Sequence, residues 1–218
     1  MGYTTNFKGS WKVTPALKPE HHVYLNAFSE TRRMKRNPAL TALRPDPLRI
    51  AAGLPVGVEG GYFVGSTEYA GQEHDAPDVL DYNTEPGGQP GLWCKWTPNK
   101  AGDAIEWSGM EKFYDYGEWL IYIIGHFLQP WGYKLSGVVE WQGEDHKDRG
   151  FLIVAGDDSH VYDLGKLISK QTHATNGGTP LGPEECVVLD AAISCGHVDS
   201  LENGEDGKSR LPFRHAEV

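Results

Sequence analysis

Two glutamates each precede a tryptophan in similar short segments, Glu106-Trp107-Ser108-Gly109 and Glu140-Trp141-Gln142-Gly143. If the strands ending at these tryptophans are neighbours, Glu106 and Glu140 share the sheet face opposite the indoles. Facing carboxylates can divide the roles of acid and base, because burial and mutual repulsion split their pKa values. Glu106 and Glu140 are therefore the candidate catalytic residues. The competing reading is a hydrated sheet face. The turn from Gly143 to Gly150 adds Glu144, Asp145, Asp148 and Arg149. Its acids lack the alternating ligand spacing of a calcium loop, so no metal is assigned to it. Asp145 and Arg149 stand instead as candidates for contact with a partner or ligand.

Other chemistries find less support. Nine histidines are spread along the chain without an H-E-x-x-H motif. Glu118 and His126 fall on one predicted helix but eight residues apart, about 12 Å at helical rise, too far to share a metal. Cys186, Cys195 and His197 have no evident fourth partner for zinc. Cys94 lies in a predicted strand between Trp93 and Trp96, where a cysteine is a small core residue before it is a nucleophile. GxSxG, GxGxxG and the phosphate-loop motif are missing, and no cofactor is implied.

Recognition by aromatic and basic residues is the alternative chemistry. Trp93 has the opposite strand parity to Trp96, so the two cannot share a face. An exposed Trp93, with Tyr82 and the Gly-rich loop 86–91, would anchor a partner or stack a flat ligand. Arg32, Arg33, Lys35 and Arg36 crowd the end of a predicted helix. They complement its dipole or, as a weaker alternative, form an anion site.

These residues need elements to hold them. Tyr3, Thr5, Phe7, Gly9, Trp11 and Val13 share one parity, which predicts a half-buried first strand. Pro19 opens a helix over 19–36 with Val23, Ala27 and Phe28 inward. Prolines punctuate 37–60, leaving a short helix near Pro47–Ala52. A long loop over 66–91 has the length that often carries function. Strands at 92–97 and 104–107 form a hairpin about the turn 98–103. Ser108-Gly109-Met110-Glu111 reads as a capping box, opening an apolar helix that Pro130 ends. Its face holds Phe113, Tyr116, Leu120, Ile123, Ile124 and Phe127. Strands follow at 135–142, 151–155 and 160–162, and 184–194 suits either a helix or a buried strand. The order β-α-loop-ββ-α-βββ predicts an α+β fold: a mainly antiparallel sheet with two main helices on one face. The expected organisation is a single domain over 1–165, a packed C-terminal extension over 166–198 and a polar tail over 199–218.

EPGGQPGLWCKW (85–96), AIEWSGMEKFY (104–114) and GVVEWQGEDHKDRG (137–150) resemble the signature segments of a family of small hypothetical proteins of bacteria and tailed phages. MGYTTNFKGSW and FSETRRMKR near the N-terminus fit the same pattern. The resemblance spans residues 1–36 and 60–165. Members often read W-D-G-G-E-K-F-Y at 107–114, and Gln where Lys95 stands. The resemblance implies a fold and a bacterial or phage setting, and it carries no chemistry with it.

Composition narrows the partner. The net charge of −10 is uneven, +6 over residues 1–50 and −16 over the rest. A body this acidic makes nucleic acid an unlikely partner, because phosphate contacts need clustered cations. It suits docking on a basic protein surface. The N-terminus has no apolar h-region, and no apolar run reaches the ~20 residues of a membrane span. Three cysteines without a CxxC pair point to a reducing compartment. The expectation is a cytoplasmic, non-catalytic accessory protein that binds a protein partner, in a phage a host-takeover or anti-defence factor. The alternatives are a small-molecule or nucleotide binder, or hydrolase, using the paired carboxylates, and a structural or assembly component.

Overall fold

Alternation along Asn6–Thr14 places Trp11 and Val13 in the interior and Lys8, Ser10 and Lys12 in solvent. This strand, β1, is central to the sheet in the computed structural model, which describes residues 2–65, 73–145, 148–155 and 160–163 with scattered positions from 167 to 210. Gly9 takes a φ of 105°, and a Cβ there would sit 2.9 Å from the Val138 carbonyl oxygen. Only glycine lets the two strands approach this closely at that bend.

The elements follow in order: α1 (Pro19–Glu30), β2 (Lys35–Arg36), α2 (Pro38–Thr41), α3 (Pro47–Ala51), β3 (Val79–Asp81), β4 (Trp96–Pro98), β5 (Ala104–Trp107), α4 (Tyr116–Ile123), β6 (Lys134–Gln142), β7 (Arg149–Ala155) and β8 (His160–Asp163). Six strands form one antiparallel sheet in the order β4-β5-β1-β6-β7-β8. β2 and β3 make a separate ribbon. The fold is α+β with a mainly antiparallel sheet, as expected. Helices α1 and α4 cover the face that carries Trp11, Trp96, Val139 and Trp141, and the core lies between.

Local expectations fail at two helices. α1 buries His21, Tyr24, Leu25 and Phe28, while Val23 is 45% exposed. The helix is rolled toward Tyr24, whose hydroxyl donates to the Tyr62 carbonyl across the core. The capping box at Ser108 does not form, and α4 begins only at Tyr116. The backbone of 108–115 is committed elsewhere. Trp107 Nε1 donates to the Met110 carbonyl, and Lys95 Nζ donates to the carbonyls of Glu111 and Lys112. Lys112 and Asp115 both take positive φ, 58° and 52°, which a helix cannot contain. Phe113 reaches the core from this loop rather than from a helix. At its far end α4 widens into a π-helical turn, Ile124–Leu128.

Most of the predicted extension and tail lies outside the described residues. Within it, Glu185 and Cys186 are helical, Lys170 pairs with Glu185, and Glu202–Asn203 (β9) pairs with Ser209–Arg210 (β10). Among the described residues no helix is long and apolar enough to cross a membrane.

Candidate functional site

The strand order separates the two candidate carboxylates. β1 runs between β5 and β6, with Ser10 opposite Glu106 and Lys8 opposite Glu140. Two strand spacings and a two-residue offset put the glutamates ~12 Å apart, beyond the ~5–9.5 Å of acid–base carboxylate pairs. Both lie on the solvent face with Lys8 and Lys12. The paired-carboxylate assignment is therefore corrected: Glu106 and Glu140 share a face but not a pocket.

The turn after β6 holds the N-terminal residues. Glu144 accepts from the Thr4 amide at 2.8 Å, and the Tyr3 hydroxyl donates to Asp148 at 2.5 Å. Asp145 and Arg149 belong to this clasp region, where the Asp145 amide donates to the Tyr3 hydroxyl. The Tyr3 amide also donates to the Tyr114 hydroxyl at 3.2 Å.

The basic run does not form one exposed cluster. α1 ends at Glu30, so the four cations follow it on extended chain. Arg33 is buried; it donates to the carbonyls of Thr31, Gly61 and Phe63 and packs over the Phe28 ring. Burial pulls its pKa down to about 10. Arg36 is buried against Asp78 at 2.7 Å, and Lys35 pairs with Glu59. Arg33 and Arg36 thus tie loops to the core, and Lys35 links two segments at the surface.

The fourth cation builds something else. Arg32 donates to the Tyr82 carbonyl and to Asn83 Oδ1. Its guanidinium lies 4.2 Å from the centroid of the Tyr82 ring and 6.0 Å from that of Trp93. Tyr82 and Trp93 are therefore brought together about one arginine, both half-buried. Arg32 and Trp93 line a cleft of about 600 Å³ with Lys95, Tyr114, Asp115 and Trp119. Trp119 in its lining belongs to the core, and Lys95, whose pKa burial lowers, is bonded to the 111–112 backbone.

A second cleft of about 650 Å³ adjoins it across Pro90 and Asp115. One side is the outer stripe of α4 and the π turn, with Glu118, Ile121, Tyr122, Gly125 and His126. π turns inside helices often mark functional sites, since they re-aim side chains at some cost to the ladder. The other side is Gly88–Pro90. Gln89 crosses to the helix, its Nε2 donating to the Tyr122 hydroxyl at 2.9 Å, and Tyr62 bonds His126 Nδ1 at 2.7 Å. Burial, then Glu118 and Glu85, raises the pKa of Asp115.

Cys94 is enclosed, and burial pushes its thiol up to about 12. A thiol held protonated at neutral pH is a packing group, since the thiolate is the nucleophile. We expect Cys94 to stay unmodified in the native protein while exposed Cys186 alkylates. Both should react in urea. Peptide mapping checks this; equal native rates would overturn it.

No protein-family profile, curated protein or solved structure matches the chain.

Sequence reasoning named Trp93 and Tyr82 as candidates and did not name Lys95, Gln89 or Asp115, which line the two clefts. Asp115 had one usable signal, an N-cap residue type ahead of an apolar run. Nothing local marks Lys95 or Gln89, whose roles depend on chain segments that meet only in the fold.

Proposed function

We propose that this protein acts by binding a protein partner in the cytoplasm, using the cleft that Trp93 and Arg32 line, with Tyr82 against Arg32 beside it. The carrying observation is Arg32 over the half-buried Tyr82 ring and near that of Trp93, with Arg32 and Trp93 both lining the cleft. Aromatic and arginine side chains held rigid before contact supply most of the energy at protein interfaces, because little entropy is left to lose. The acidic body favours a partner with a basic surface. The bacterial and phage setting that the sequence resembles makes host takeover or anti-defence the role of such capture. The rival reading, acid–base catalysis by Glu106 and Glu140, loses support from the intervening strand.

The test is affinity capture from native lysate with wild type and Trp93→Ala. Trp93 lies outside the main core, so the variant should keep its far-ultraviolet circular dichroism. A stoichiometric partner should be retained by wild type and reduced about tenfold or more by the variant, the loss typical of an interface hot spot. Undiminished capture by folded Trp93→Ala would sink this assignment.

A further inference from the structure

The first cleft has an unused donor in its wall. Trp119 is 1% exposed and lines that cleft, its ring held edge-on to Phe28 and Tyr122 at 6.0 and 5.5 Å. Its Nε1 has no hydrogen-bond partner among the described residues, and unlike Gln89 Oε1 and Trp141 Nε1 it is not sealed away from solvent. The buried indoles of Trp11 and Trp96 both donate, to the carbonyls of Leu152 and Tyr116. An indole N–H in the interior normally finds an acceptor. The one on Trp119 is left for a group that enters the cleft.

Gly91 opens this donor together with an acceptor. A Cβ at Gly91 would lie 3.8 Å from Trp119 Nε1 and 3.7 Å from Asp115 Oδ2. One point on the cleft wall therefore faces both atoms, and the missing side chain keeps it free. The backbone does not itself demand glycine there, since Gly91 is not among the residues with positive φ. The Asp115 carboxylate makes no capping bond and no ion pair among the described residues.

The pairing of donor and acceptor selects the guest. Charge in the lining is balanced, with Arg32, Lys95 and Lys112 against Glu85, Glu111 and Asp115. A carboxylate would satisfy Trp119 but stand beside Asp115, where like charges repel. An ammonium or guanidinium would satisfy Asp115 but has no acceptor for the indole. A carboxamide is neutral and carries an acceptor and two donors in one plane.

We propose that this cleft takes a carboxamide side chain of the partner, a glutamine or asparagine, whose carbonyl accepts from Trp119 Nε1 and whose amino group donates to Asp115. Its methylenes are covered by Leu92 and Trp93 in the same lining. The inference rests on the reading of the first cleft as a partner site and names what that site recognises.

The experiment is an NMR titration of the nitrogen-labelled full chain, following the Trp119 indole N–H and the Gly91 amide. The probes are acetyl-Gly-Gln-Gly-methylamide and the same peptide with glutamate or methionine in place of glutamine. The glutamine peptide should shift both resonances. Glutamate and methionine should each bind about fivefold more weakly or worse, the cost of leaving one polar group of the site unpaired. Gly91→Ala should weaken glutamine binding about tenfold or more, because its methyl occupies the point that the amide needs. Its contacts at 3.7 and 3.8 Å are ordinary van der Waals distances, so its melting temperature should stay within about 2 °C of wild type. No shift with the glutamine peptide at about 10 mM, a limit that only the weakest binders exceed, overturns the proposal. Equal binding of glutamate or methionine does so too, as does undiminished binding by Gly91→Ala. Selective glutamine binding with undiminished capture by Trp93→Ala would fell the Trp93 assignment alone. Trp93-dependent capture with no glutamine binding would fell this inference alone.

Discussion

Replacing Asp78 by alanine should cost about 3–5 kcal/mol of stability, the range for breaking one side of a buried ion pair. Asp78 is 2% exposed and accepts from Arg36 at 2.7 Å, Arg44 at 2.8 Å and Thr41 at 3.2 Å. Arg36 is equally buried, so its charge would lose the carboxylate it pairs with in the interior. Urea unfolding measures the loss. The double variant Arg36→Met, Asp78→Leu should recover most of it, because apolar replacement removes the stranded charge as well. A loss below about 1 kcal/mol in Asp78→Ala, the size of an exposed pair, would contradict this account. The effect should reach the site. The Asn37 amide donates to the Asp78 carbonyl, and β3 leads directly to Tyr82. Burial alone would raise the Asp78 pKa, but the hydrogen bonds and charges of Arg36 and Arg44 outweigh it and hold the carboxyl below its usual range. With the folded pKa depressed, this contribution is complete above about pH 4 and is lost as the pH falls through the folded value.

Trp96→Ala should cost a similar amount, about 3–5 kcal/mol, by leaving a cavity. Its ring meets Trp11, Phe7 and Phe113 edge-on at 4.8, 4.9 and 5.0 Å. Its Nε1 donates to the Tyr116 carbonyl, so it joins the edge strand of the sheet to the start of α4. The melting temperature should fall by roughly 6–20 °C, at about 2–4 °C per kcal/mol for a chain of this size. Trp93→Ala, three residues away but half-buried and outside the core, should cost under about 1 kcal/mol. Calorimetry of the two variants is the check. Equal shifts would mean that Trp93 is a core residue, and would remove it from the recognition surface.

The contrast between these tryptophans shows how far periodicity reaches. Strand parity predicted Trp93 and Trp96 on opposite faces of one strand; in the fold the strand begins only at Trp96, and Trp93 lies half-buried on the segment before it. Parity also placed Trp11 and Val13 inward, and the apolar repeat at Leu120, Ile123, Ile124 and Phe127 became the buried side of the long helix. These signals are local. A side chain's direction follows from its position in the repeat, and burial of the apolar face follows from the free energy of removing it from water.

What the sequence determined by itself was therefore the α+β order of elements and the apolar faces. Tertiary structure decided the rest. Placing β1 between β5 and β6 separated Glu106 from Glu140, and no local pattern encodes which strands are neighbours. Lys95, two positions from Trp93, claims the carbonyls of 111 and 112 and so abolishes a helix start that Ser108 and Glu111 advertised. Arg33 and Arg36 look like a solvated basic run until loops 61–63 and 78 close over them. In each case a charged or polar group takes its partner from a distant segment. A buried donor or acceptor must be satisfied by whatever the fold brings near, and sequence spacing carries no information about that partner.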